Sequence, residues 1–381
     1  MRWSPLCRAG AVLLAAAFWS ASGAPSLAAA PAKVSVVAAE DFWGSIARQL
    51  GGDHADVTSI IVDPDTDPHD YEAKPSDGAV LASARVAIVN GIGYDGWADK
   101  LLAANPSSNR KVVTVGDVVG VKDGGNPHQW YSPSSVNLVI DAVTDALKQA
   151  DPADAAYFDT QRQAYRAGGL KRYDDLRAQI KAQYAGTAVG ASESIFAPLA
   201  DDLGLKLLTP ESFLDAIAEG NEPTAGDKST VDRQITGKQI KVFVYNSQNS
   251  TPDVAALVDK AKKAGIPVTT VTETLTPKGA PFQDWQADEL QSLADALALG
   301  TGKAAAPVSA PQAAATAAST PGADPSSGGA VTAAAPAVPL ARTGSSSARW
   351  LVLLAGAAFV LGGLGLAVGA RGRHRGQMRG A

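Results

Sequence analysis

Residues 34–50, VSVVAAEDFWGSIARQL, decide the fold because they join a strand pattern directly to a helix pattern. Val34–Ala39 is a run rich in β-branched residues, which predicts a strand. Phe42–Leu50 has apolar residues at helical spacing. A strand that passes at once into a helix is typical of an α/β unit built on a parallel sheet.

The same alternation recurs along the rest of the folded body. Further strands are predicted at 57–62, 86–89, 111–115, 188–190, 206–208, 241–244 and 267–271. Residues 152–184 instead keep a helical pattern interrupted only by Gly168-Gly169, and a helix of this length spans about 50 Å. We therefore predict an α/β fold with two lobes of mostly parallel sheets (residues 33–150 and 186–299) joined by one long connecting helix (151–185).

The amino terminus has the features of a secretory signal peptide over residues 1–32. Arg2 and Arg8 precede a short apolar segment, and alternating alanines near residue 30 offer cleavage sites. The apolar segment is too short to span a bilayer. The single cysteine, Cys7, lies before this segment rather than after it, so we expect no lipid attachment there.

The carboxyl terminus carries three consecutive signals within residues 340–381. The pentapeptide LARTG (340–344) comes first, an apolar segment long enough to span a membrane follows at 350–370, and a basic tail ends the chain. This order resembles the cell-wall sorting signals of Gram-positive bacteria. The resemblance implies a sortase as partner, cleavage after Thr343 and a bond to peptidoglycan. A plain C-terminal membrane anchor is the alternative, and both place the body outside the membrane.

Composition limits the function further. Residues 300–339 are dominated by Ala, Pro, Ser, Thr and Gly and predict an extended linker. Of the 33 basic residues, two lie in residues 1–32 and five follow Thr343, which leaves 26 against 38 acidic residues, a net charge of −12. Such an acidic body argues against nucleic acid as a partner and suits a cation ligand. One cysteine excludes a disulfide framework.

Two of the four histidines lie in similar loops. His69 in DPHDYE and His128 in NPHQW each follow a proline in a loop after a predicted strand. Proline fixes its own φ and biases the residue before it towards extended conformations, so both loops present the histidine rigidly. Neutral imidazole is the commonest metal ligand in proteins. The paired loops therefore indicate a metal site, whereas His54 in a polar turn is expected at the surface.

The second lobe offers carboxylates at the matching strand ends. Glu193 follows the strand at 188–190, and Glu273 follows the strand at 267–271. Ligands of parallel sheets bind at the carboxyl ends of the strands. His69, His128, Glu193 and Glu273 would together make a four-ligand site in the cleft between the lobes.

The pattern of the whole body resembles a known family. The segments DPHDYEAKPSD (67–77), NGIGYDGWADKLL (90–102), NPHQWYSP (126–133), SESIFAPLADDLGL (192–205) and VTETLTP (271–277) carry the resemblance. They are similar to the metal-binding solute-binding proteins of ABC importers for zinc, manganese and iron, the ZnuA/TroA-like family (cluster A-I). The resemblance implies that His69, His128 and Glu193 are metal ligands and that the fourth comes from residues 272–276, where Glu273 fits.

The sequence departs from the zinc receptors of that family in two ways. It has no His-rich loop between His69 and His128, and the third ligand position holds Glu193 rather than a histidine. Two imidazoles and two carboxylates form a harder donor set that favours Mn²⁺ or Fe²⁺, although Zn²⁺ binds most such sites more tightly. Mn²⁺ and Zn²⁺ both stay open as the transported ion.

The sequence thus predicts an exported, monomeric binding protein, not an enzyme. It would capture a divalent transition-metal ion and deliver it to an ABC permease and its ATPase from the outer face of a Gram-positive cell. A metal-dependent hydrolase is one alternative, although no HExxH, GxSxG or P-loop motif is present. A wall-anchored adhesin with a structural metal is the other.

Overall fold

The computed structural model describes residues 32–303, except residues 65, 67 and 250. The predicted signal peptide, linker and C-terminal sorting signal lie almost wholly outside these residues. Among the helices of the described part, none combines the length and the apolar character needed to cross a membrane.

In the part of the chain that the structure describes, eight strands form two four-stranded sheets, and every pairing within them is parallel. The first sheet has the order β2-β1-β3-β4 and the second the order β6-β5-β7-β8. The strands are β1 (Val34–Glu40), β2 (Ala55–Ile61), β3 (Val86–Val89), β4 (Lys111–Thr114), β5 (Ala188–Ala191), β6 (Lys206–Leu207), β7 (Val242–Asn246) and β8 (Val268–Val271). The predicted α/β class with parallel sheets is confirmed.

Within the described residues, twelve α-helices connect and cover the strands. They are α1 (Asp41–Gly51), α2 (Pro75–Ser83), α3 (Gly96–Ala104), α4 (Val115–Val119), α5 (Pro133–Ala150), α6 (Ala155–Ala164), α7 (Lys171–Tyr184), α8 (Ala197–Asp202), α9 (Glu211–Ala218), α10 (Ala225–Thr236), α11 (Pro252–Lys263) and α12 (Phe282–Thr301). Because all strands of a sheet run parallel, the loops at their carboxyl ends gather along one edge of that sheet.

The predicted connecting helix is present but not uniform. A 3₁₀ turn at Pro152–Asp154 precedes α6, and a π-helical turn at Tyr165–Gly169 separates α6 from α7. A Cβ atom on Gly169 would lie 2.6 Å from a ring carbon of Tyr165, so this wider turn requires glycine there. The π turn therefore falls at the diglycine that interrupts the helical pattern in the sequence.

The largest apolar core contains residues from both sheets. Trp43, Trp130 and Trp285 are at most 1% exposed, and the rings of Trp130 and Phe42 stack at 4.1 Å. Burying a tryptophan removes roughly 200 Å² from water, which stabilises the fold by about 5 kcal/mol per side chain before the loss of conformational entropy is counted.

Buried hydrogen bonds tie the elements of the two sheets together around this core. Both carboxylate oxygens of Asp41, at the start of α1, accept from the Leu275 N–H at 3.3 Å. The backbone N–H of Thr272 donates to the Tyr131 hydroxyl oxygen at 3.2 Å, and that hydroxyl donates to a carboxylate oxygen of Glu289 at 2.5 Å. These contacts fix the loop after β8 against the first sheet.

Candidate metal centre

His69 lies on a 3₁₀ turn, Pro68–Asp70, in the loop after β2. Its Nε2 atom is 3.6 Å from Oε2 of Glu273, and its side chain is 25% exposed. The ring lies 5.6 Å from the ring of His128 and 4.7 Å from that of Tyr94, measured between centroids. The two histidines of the paired Pro-His loops are therefore neighbours in the folded chain.

His128 is completely buried just before a 3₁₀ turn at Gln129–Tyr131. The short helix α4 lies between β4 and this loop. The Asn126 side-chain oxygen accepts from the backbone N–H of His128 and lies 2.9 Å from its Nδ1. Since an amide oxygen only accepts, Nδ1 carries the ring proton and Nε2 is left with its lone pair.

The charge state of His128 suits a metal ligand. Burial, and then the nearby His69, lower its pKa well below the ordinary value of a histidine. Its Nε2 has no hydrogen-bond partner among the described residues. A neutral imidazole with a buried, free nitrogen is the form that binds a metal ion without first losing a proton.

Glu193 follows β5 and is 1% exposed. Its Oε1 accepts a hydrogen bond from the Asn246 amide at 2.5 Å, and its Oε2 accepts one from the Asn249 amide at 2.8 Å. The carboxylate is thus held by neutral amides at the carboxyl end of the second sheet.

Glu273 lies two residues beyond β8 and is also 1% exposed. The Tyr94 hydroxyl donates to its Oε2 at 2.7 Å, and the Asn246 amide donates to its Oε1 at 2.7 Å. Because Tyr94 belongs to the loop after β3, this carboxylate reaches across to the first sheet, where the two histidines lie.

Three of the four predicted residues form one tight cluster. Ligand atoms of His69, His128 and Glu273 all lie within 4.8 Å of one another. Opposite ligands of a bound transition metal are about 4 Å apart, so small side-chain movements suffice for all three to share an ion. Glu193 is outside this trio but adjacent to it, because one Asn246 nitrogen bonds both carboxylates.

A cavity of about 340 Å³ opens beside His69. Its acidic wall is formed by Glu211, Asp215 and Glu219 of α9. Burial, and then the charges of Glu211 and Glu219, raise the pKa of Asp215. This wall gives the entrance a negative potential that attracts cations.

Sequence reasoning missed the amides that hold the site. Asn126, Asn246 and Asn249 all bond predicted ligand residues, and Gln248 accepts from the backbone N–H groups of Glu273 and Thr274. The available signal was the polar run NSQN at 246–249 directly after a buried strand, in the position where the ligand-bearing loops of the neighbouring strands occur.

Aromatic side chains surround the two histidine loops. Trp130 and Tyr131 are fully buried in the core, and the ring of Trp130 also lies 5.2 Å from that of His128. Trp97 lies 5.0 Å from Tyr71, a neighbour of the His69 turn, between ring centroids. Trp130 is therefore part of the core and also excludes water from one side of His128.

Comparison with known proteins identifies the family to which this chain belongs. The family model described as ZnuA, zinc-uptake complex component A, periplasmic, matches residues 36–296. The iron-binding protein YfeA of Yersinia pestis is 32% identical over 216 residues, which are 53% of this chain and 69% of that protein. The iron ABC transporter substrate-binding lipoprotein MtsA of Streptococcus pyogenes is 24% identical over 276 residues, 67% of this chain and 85% of that protein.

A solved structure shares the fold. The manganese-bound periplasmic metal binding protein from Candidatus Liberibacter asiaticus superposes with a TM-score of 0.57 and 21% identity, covering 70% of this chain and 100% of that one. The resemblance read from the Pro-His loops is confirmed at the level of the family. Because the family match spans more than half of its length, the chain belongs to the ZnuA family of periplasmic zinc-uptake components.

Proposed function

We propose that this protein captures one divalent transition-metal ion with His69, His128, Glu193 and Glu273 and delivers it to an ABC importer. The observation that carries the proposal is the cluster of His69, His128 and Glu273, whose ligand atoms lie within 4.8 Å of one another. Glu193 supplies the fourth ligand from the adjacent strand end, after a small movement towards the trio.

The chemistry of this set supports a carrier rather than a catalyst. Four protein ligands close the coordination sphere of a tetrahedral ion, whereas catalytic sites keep a position open for water. Two neutral imidazoles and two carboxylates give the bound divalent ion a neutral total charge, which lowers the cost of burying it. The set accommodates Mn²⁺, Fe²⁺ and Zn²⁺, and the relatives described above are named for iron or contain manganese.

We also propose that the chain works outside the cell membrane. The signal-like residues 1–32 and the sorting-like residues 340–381 support export and anchoring, with sortase and peptidoglycan as partners and residues 300–339 as the linker. The family description as periplasmic supports the same side of the membrane. Mass spectrometry of wall digests should find peptides that end at Thr343 joined to a peptidoglycan fragment; peptides continuing through Gly344 would contradict wall anchoring.

Elemental analysis tests the metal proposal. Protein purified from its own host should contain about one equivalent of Mn²⁺, Fe²⁺ or Zn²⁺, and a variant combining His69→Ala with Glu273→Gln should contain almost none. Metal-free wild-type protein that takes up none of these ions in calorimetry would refute the function. Deletion of the gene should lower cellular uptake of the same ion.

A further inference from the structure

Asn246 occupies the central position among the acidic side chains of the second sheet. It is the last residue of β7, which lies between β5 and β8, and its side chain is completely buried. Glu193 and Glu273 follow the two flanking strands. The amide therefore lies where the carboxyl ends of three neighbouring strands meet.

The hydrogen bonds of Asn246 use both protons of its amide nitrogen. Nδ2 donates to Oε1 of Glu193 at 2.5 Å and to Oε1 of Glu273 at 2.7 Å. Its Oδ1 accepts the backbone N–H of Gln248 at 3.0 Å. This last bond fixes the orientation of the amide, because a flipped side chain would face two carboxylates with an oxygen and the N–H with a nitrogen.

We propose that Asn246 is a positioning residue that sets the spacing and orientation of the two acidic metal ligands, an inference that rests on the proposed function. One nitrogen bonded to both carboxylates keeps their Oε1 atoms no more than about 5 Å apart. The Tyr94 hydroxyl and the Asn249 amide then hold the Oε2 atoms of Glu273 and Glu193, respectively. Both carboxylates are thereby preorganised before an ion arrives.

The amide is suited to this position because it is neutral. Two buried carboxylates this close repel each other, and hydrogen-bond donors reduce that repulsion. A lysine or arginine would supply donors as well, but its positive charge would cancel part of the negative charge that binds the cation. An amide supplies two donors and leaves the charge of Glu193 and Glu273 available to the ion.

The geometry also predicts how Asn246 acts on the ion. Each Oε1 is tied to the amide, so each carboxylate presents mainly one oxygen to the metal. Removal of the amide frees each Oε1 atom as a further ligand, so that bidentate binding enlarges the coordination sphere. Asn246 therefore favours a small, four-coordinate sphere.

The test compares Asn246→Ala with the control Asn105→Ala. Asn105, at the end of α3, is half-buried and lies outside the site. Its side-chain N–H donates to the Leu101 carbonyl at 2.9 Å. By calorimetry, Asn246→Ala should weaken binding of Mn²⁺ and Zn²⁺ by about 10–100-fold, the range seen when groups that orient metal ligands are removed. Asn105→Ala should stay within about twofold of wild type.

Two further measurements separate positioning from general destabilisation. In a double-mutant cycle with Glu193→Gln, the loss caused by Asn246→Ala should shrink by at least about threefold, because the amide acts through that carboxylate. The visible absorption of the Co²⁺-loaded protein should weaken in Asn246→Ala, since four-coordinate Co²⁺ absorbs more strongly than higher-coordinate Co²⁺. The control should leave the spectrum unchanged.

The outcomes are distinct. Wild type that binds no transition metal refutes the proposed function. If wild type binds the metal and Asn246→Ala binds it within twofold as tightly, only this inference is overturned. The same holds if the effects of Asn246→Ala and Glu193→Gln on affinity multiply independently and the Co²⁺ spectrum is unchanged. Should Asn246→Ala fail to fold, Asn246→Asp keeps the shape and replaces the donor by a third carboxylate. It should weaken binding at least tenfold, and binding as tight as wild type would overturn the inference.

Discussion

Replacing His128 by alanine should remove most of the stabilisation that a bound metal gives this protein. His128 is fully buried, and its Nε2 has no alternative partner among the described residues, so no other side chain replaces the lost ligand. Loss of a group that merely orients a ligand costs about 10–100-fold in metal affinity, so loss of the ligand itself should cost at least ~100-fold.

The magnitude follows from mass action. At a free metal concentration ~100 times the wild-type dissociation constant, binding stabilises the wild type by about 2.7 kcal/mol. A 100-fold weaker variant is then half saturated and gains only about 0.4 kcal/mol. For a body of this size the metal-induced rise in Tm should fall from roughly 5–10 °C to about 1 °C.

The assay is thermal unfolding with and without Mn²⁺ or Zn²⁺, read as the difference between the two curves. This difference cancels any change in the stability of the metal-free protein. His54→Ala is the matched control, because His54 contacts α6 and not the candidate metal ligands. It pairs with Asp154, and its ring stacks on that of Tyr157 with the centroids 3.9 Å apart. The control should keep the full metal-induced shift. A wild-type shift in His128→Ala would refute the reasoning.

Three further predictions concern the surroundings of the site. Asn126→Ala should weaken metal binding about 10–100-fold in calorimetry, because the proton on Nδ1 of His128 loses its acceptor; affinity within twofold of wild type would contradict this. Burial raises the pKa of Asp41 to about 7 in the folded protein. Asp41 therefore keeps its proton in the folded state over a pH range in which the unfolded state has lost it. The free energy of unfolding then falls as the pH rises, by about 1.4 kcal/mol per unit between pH 5 and 7. In urea unfolding of the metal-free protein, Asp41→Asn should remove this dependence of the free energy of unfolding on pH. If the free energies of wild type and variant change in parallel with pH, the assignment to Asp41 is wrong. Combining Glu211→Gln with Asp215→Asn should slow metal association severalfold at low salt in stopped-flow experiments and much less at high salt; an equal effect at both salt concentrations would argue against an electrostatic role of the cavity wall.

The Pro-His loops illustrate what short-range sequence patterns reveal. His69 and His128 were predicted from two loops in which a proline precedes each histidine, and the structure places their rings 5.6 Å apart. The two loops meet because parallel strands bring their carboxyl ends to one edge, so loops of similar chemistry converge. The strand patterns were equally readable, since buried β-branched runs differ from helical spacing within a few residues.

The helix α9 shows where such patterns stop. Its residues 211–218 were not identified as a helix, although Glu211 and Asp215 lie four residues apart and share one face. An acidic face looks like any solvated helix surface until its neighbours are known. Only the folded chain shows that this face lines the cavity beside His69.

By itself, the sequence determined the order of the strands and of most helices and the kinds of residue at each strand end, because these depend on neighbours within a few positions. Only the tertiary structure decided which side chains hold the ligands in place. Asn246 is 53 residues from Glu193 and 27 from Glu273 along the chain. Their hydrogen bonds exist because the sheet places β7 between β5 and β8, and no local pattern encodes that order.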